Sequence, residues 1–114
     1  MKYYIEEHAG NLRRALEDAV LGWPEVDTKK MFGCPSFMAA GKLFAFVVTK
    51  GIVLTSLSED EREGVRAEFE TQPFTPGGSH VKSWVLVPMT SADEIDALLP
   101  WIEASYEGAL AKAG

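Results

Sequence analysis

The 114-residue chain is poor in the groups on which most site chemistry depends. A single cysteine, Cys34, excludes an internal disulfide. The two histidines, His8 and His80, are far apart, and no Cys or His pair has a spacing used by zinc sites. No apolar run approaches the ~20 residues needed to span a bilayer. Residues 1–20 carry charges throughout, unlike a secretory signal, so the expected location is the cytoplasm. Positive charge is also scarce: 11 Lys and Arg stand against 17 Asp and Glu, a net charge of −6. That balance opposes non-specific attraction to nucleic acid or an anionic membrane. No cofactor, metal, nucleic acid or membrane partner is therefore expected.

What is present is an ordinary globular composition, 46% hydrophobic and 11% aromatic, at a length that fits one domain over residues 1–114. The stretch Lys29–Val48 is the densest in aromatic and β-branched residues. Every residue from Leu43 to Val48 is apolar, which predicts a central strand. Strict alternation would put Leu43, Ala45 and Val47 on one face and Phe44, Phe46 and Val48 on the other. Helical spacing of Ile5, Ala9, Leu12, Leu16 and Val20 predicts a helix over 3–21. Strands are predicted at 26–32, 36–39, 42–49, 52–56 and 83–87, with glycine-containing turns at Ala40-Gly41 and Lys50-Gly51. Gly33-Cys34-Pro35 reads as a turn or bulge. Capping boxes at Ser58–Glu61 and Ser91–Glu94 open two further helices, the second with a kink or restart at Pro100. Residues 72–82 read as an irregular loop.

The order α-β-β-β-β-α-β-α predicts an α+β fold: about five antiparallel strands with three helices mainly on one face. The second apolar face then needs a cover. One reading is a homodimer through that face or an adjoining surface, with Phe37, Phe44, Phe46 and Trp84 as the interface. The other is a meander that curls over and buries both faces within one chain.

Cys34 is the first candidate for chemistry. Its turn follows two lysines, which would lower a thiol pKa and make a reactive nucleophile. Its other reading is a half-buried small hydrophobe. The Gly77–Lys82 loop, which contains His80, offers backbone N–H groups to an anion but completes no phosphate motif. A cysteine-dependent enzyme or small-molecule binder built from Cys34 and this loop is the alternative to an interaction domain. The carboxylates cluster at helix starts, where they favour the helix dipole.

Lys30–Phe37, followed by Gly41–Ala45, resembles the TfoX/Sxy N-terminal-domain family, whose hallmark is a Met-Phe-Gly turn and then Gly-x-x-Phe-Ala on the next strand. Pro73–Pro76, Trp84–Pro88 and Leu98-x-x-Trp101 add to the likeness, which runs from about residue 3 to about 110. Cys34 stands where the commoner pattern has a second glycine. The resemblance implies an α+β domain similar to the type III secretion chaperone-like architecture, without a cofactor or a reaction. It implies structural roles for Met31, Phe32, Gly33 and Gly41, and also for Phe44 and Trp84. Longer family members regulate competence genes. The expected function is thus non-enzymatic and regulatory, through contact with a homodimer mate or an unknown protein partner.

Overall fold

The computed structural model describes residues 3–75, 81 and 83–114. In order come α1 (Glu6–Val20), β1 (Val26–Met31), β2 (Cys34–Ala39), β3 (Lys42–Val48), β4 (Gly51–Leu54), α2 (Glu59–Glu68), β5 (Gln72–Pro73), β6 (Val85–Pro88) and α3 (Glu94–Ala113). All six strands form one antiparallel sheet in the order β1-β2-β3-β4-β6-β5. The count is six rather than five because two residues of the expected loop pair with β6, Gln72 with Leu86 and Pro73 with Val85.

Local sequence explains the meander. The β1–β2 and β2–β3 hairpins each close on two residues with positive φ, Phe32-Gly33 (56° and 76°) and Ala40-Gly41 (51° and 83°). Paired positive φ values define the turn whose twist matches the flanking strands. Cys34 and Pro35 therefore lie inside β2 rather than in a turn.

The helices differ from expectation at their ends. Ser58 accepts from Glu61 N–H while the Glu61 carboxylate accepts from Ser58 N–H, so the first capping box forms in full. At the second, Glu94 accepts from Ser91 N–H, but the Ser91 hydroxyl accepts from Asp93 N–H, and α3 starts only at Glu94. Pro100 lies inside an unbroken helix. Both it and Asp96, whose carbonyl loses its helical partner, are exposed, so water can serve that group. Residues 3–5 do not join α1. They run extended against the end of β3, where Thr49 N–H donates to Tyr3 O (2.9 Å) and Ile5 N–H donates to Thr49 Oγ1 (2.8 Å).

All three helices contribute to one core, on one side of the sheet. Leu12 and Leu16 of α1, Val65 of α2, and Ile95, Leu98 and Ile102 of α3 meet Phe37, Ala45, Val47, Ile52 and Leu54 there. The simple alternation along β3 fails at a β-bulge. Phe37 pairs with Ala45 and Met38 with Leu43, which leaves Phe44 as an extra residue. Phe44 thus joins Ala45 and Val47 on the helix side, while Leu43 turns to the other face with Phe46 and Val48.

The bulge frees carbonyls, and α3 satisfies one of them. Ser105 Oγ donates to Phe44 O (2.6 Å) and accepts from Ser56 N–H (3.0 Å). Thr55 N–H also donates to Phe44 O, and the Thr55 and Ser56 hydroxyls both donate to Leu43 O. Gly108 makes this docking possible, because a side chain there would run into Ser56 O.

The second sheet face is covered within the chain. Phe46 is fully buried, with the rings of Phe74, Trp84 and Phe32 at 5.2, 5.4 and 6.2 Å. Tyr3 meets Phe74 edge-on at 5.3 Å. Hence Phe37, Phe44 and Phe46, expected on an exposed interface, are all core residues, and only Trp84 of that set keeps partial exposure. The bulge and the extended segments that carry Tyr3, Phe74 and Trp84 account for the difference.

Candidate interaction surface

With the aromatic face closed, the longer of the two sheet edges among the described residues is β1 of the β1–β2 hairpin, the other being the two-residue β5. β1 pairs only with β2, and residues 27–30 are exposed one after another. At its tip stands Phe32, 47% exposed, in left-handed geometry that a bulky side chain rarely adopts. The ring leans on Trp84 (6.1 Å) and Phe46, so the tip extends the aromatic cover to the surface. Met31 ends β1, and Gly33 and Gly41 complete the two hairpin turns.

A groove of about 670 Å³ runs between this hairpin and α1. Tyr4, Glu6 and Arg13 line one wall, and Thr28, Lys30 and Pro35 the other. Arg13 holds two carboxylates at once, Glu6 (3.0 Å through Nε, 2.8 Å through Nη2) and Glu17 (2.8 Å). The Tyr4 hydroxyl also donates to Glu6. The hydrogen bonds from Arg13 and then Tyr4 hold the Glu6 carboxyl down at about 2. Burial, and then the bond to Glu6, push the Tyr4 phenol up. Glu6 therefore stays anionic and Tyr4 stays neutral near pH 7. Neither is poised to move a proton.

Cys34 opens β2, directly after the Phe32-Gly33 turn. It is buried, its Sγ lies 3.7 Å from Phe32 O, and burial pushes its pKa up to about 11. The two lysines before the turn do not offset that burial. The Gly77–Lys82 loop, Val81 apart, lies outside the described residues, and so does His80. Among the described residues no group of three His, Cys, Asp or Glu could hold a metal ion. No described helix is long and apolar enough to cross a membrane.

Of the residues expected to be structural, Phe32 and Gly33 form the β1–β2 turn, Gly41 lies in the β2–β3 turn, and Met31 is the last residue of β1. What sequence reasoning missed is that the β1 edge and its Phe32 tip, rather than the aromatic faces of the central strands, form an exposed surface. The run Asp27-Thr28-Lys29-Lys30, polar on both faces of a strand, carried that signal.

No curated protein and no solved structure gives a significant match to this chain. The family model for the TfoX N-terminal domain matches residues 18–109, which include the whole sheet and both hairpin turns. On that match the chain belongs to the TfoX N-terminal domain family.

Proposed function

We propose that this domain is non-enzymatic and works by protein contact, and that the outer edge of β1 with the Phe32 tip is the contact surface. A role in regulation, of transcription or of competence, fits a domain of this family that acts by contact. One observation carries the reading: a six-residue strand lies open along its outer side, with unpaired backbone groups next to an exposed aromatic residue. Such an edge is a template for an added strand, and main-chain hydrogen bonds supply the affinity. The buried, alkaline-shifted thiol disfavours the competing reading of a cysteine-dependent enzyme.

The test is a photo-crosslinking side chain at position 29, used in the native host with and without Thr28→Pro. Proline on the open side removes an outward N–H at little cost to the fold. The expected outcome is crosslinked species that vanish with Thr28→Pro. Species that persist with the proline, or that form only from probes on the helices, would refute the assignment.

A further inference from the structure

We infer that β1 pairs with β1 of a second copy, in one register chosen by charge. The inference rests on the contact surface proposed above and names its occupant.

The backbone sets which residues face outward. Glu25 O accepts from Ala40 N–H (3.0 Å), and Met31 and Cys34 flank a two-residue turn. Residues 25, 27, 29 and 31 therefore direct their backbone groups toward β2, and Val26, Thr28 and Lys30 direct theirs to the open edge. Val26 N–H is already engaged by Trp23 O (3.4 Å). The Thr28 and Lys30 N–H groups and the carbonyls of all three remain for a partner.

Two copies joined about a two-fold axis form an isologous antiparallel pair, and outward residues must face outward residues. The three registers that pair the most of β1 centre on Asp27, Thr28 and Lys29. Centring on Asp27 sets Asp27 against its own copy, and centring on Lys29 does the same for Lys29. Both put like charges directly opposite, which destabilises a sheet. Centring on Thr28 sets threonine against threonine and Val26 against Lys30. It also sets Asp27 against Lys29, twice, at the closer, non-hydrogen-bonded positions. Lysines on an edge normally block strand addition. Here each Lys29 meets an Asp27, so the lysines select a register instead.

The joined sheet has twelve strands, twice the six of one chain. The contact is one strand wide and the body carries a net charge of −6, so the association is weak and salt-sensitive.

Light scattering and sedimentation up to about 1 mM protein test it, with backbone NMR of Thr28 and Lys30. The expected result is a reversible dimer with concentration-dependent shifts at those two amides. Lys29→Asp or Asp27→Lys alone should weaken it about tenfold, because two attractive pairs become repulsive. Mixing the two variants should restore a mixed dimer, and the double swap should restore the self-dimer. A monomer at every concentration overturns the inference, as does a dimer indifferent to Lys29→Asp or a mixture that does not associate. If the chain is monomeric yet position 29 still crosslinks to another protein in a Thr28-dependent way, the contact surface stands and only the second copy is wrong.

Discussion

Replacing Ser105 by alanine removes one hydroxyl from the joint between α3 and the β3 bulge. Ser105 is fully buried, donates to Phe44 O at 2.6 Å and accepts from Ser56 N–H at 3.0 Å. Phe44 O keeps the Thr55 N–H at 3.1 Å, so losing that bond costs the ordinary ~0.5–1.5 kcal/mol. Ser56 N–H loses its partner in the core, which costs ~1–3 kcal/mol. Together the change should cost about 2–4 kcal/mol, or roughly 8–17 °C in Tm for a domain of this size. Ser56→Ala is the control. Its hydroxyl bonds Leu43 O, which keeps the Thr55 hydroxyl at 2.9 Å, so about 1 kcal/mol is expected. Urea unfolding followed by tryptophan fluorescence measures both, with an unchanged m-value as the check that the unfolded state is comparable. A loss below about 1 kcal/mol for Ser105→Ala, or a larger loss for Ser56→Ala, would refute the claim that this hydroxyl anchors the bulge.

Gly64→Ala should destabilise the protein by ~1–3 kcal/mol, although alanine is the better helix former. The added methyl would strike the Trp101 ring, whose Nε1–H donates to Glu68 (3.0 Å), and thermal melts of Gly64→Ala and Gly64→Ala/Trp101→Leu separate the collision from propensity. Phe46→Ala should cost ~3–5 kcal/mol by chemical unfolding, because the ring is fully enclosed by Phe32, Phe74 and Trp84. Cys34 gives the chain an alkaline liability. Its folded pKa is raised to about 11 from 9.0, so between those values the unfolded state has lost a proton that the native state keeps. Stability should fall by roughly 2–3 kcal/mol across that window, and unfolding curves at pH 8 and 11 should show a shallower fall in Cys34→Ala.

Features with a local cause were legible in the residues. The Ser58 capping box, the glycine turns and the apolar run at 43–48 each determine their element within a few neighbours, and the family hallmark lies in the same short segments. Legibility ended where distant segments meet. Two apolar faces on β3 were visible, but not that Tyr3, Phe74 and Trp84 would cover the second one from far along the chain. The Phe44 bulge was hidden because its stabilisers, Thr55, Ser56 and Ser105, lie 11 to 61 positions away. A glycine inside α2 is a propensity defect by local rules, and its reason, the Trp101 ring above Gly64, comes from far along the chain. Of the interaction surface, the run Asp27-Thr28-Lys29-Lys30, polar on both faces, is the part that marks an edge strand in the sequence itself. Its accessibility became apparent only once Phe37, Phe44 and Phe46 were accounted for inside the core.

The family match begins at residue 18, near the end of α1, yet Ala9, Leu12 and Leu16 are fully enclosed and the Tyr3 arm is laced to Thr49. A fragment trimmed to the recognised segment would thus shed a wall of one core and an edge of the other's roof. Its bared Val47, Val48 and Phe46 would tend to clump, and such a clump would be easily mistaken for native self-assembly. Where kinship in sequence starts is not where the folding unit starts, and any excised piece of this chain should keep its first helix and the short arm before it.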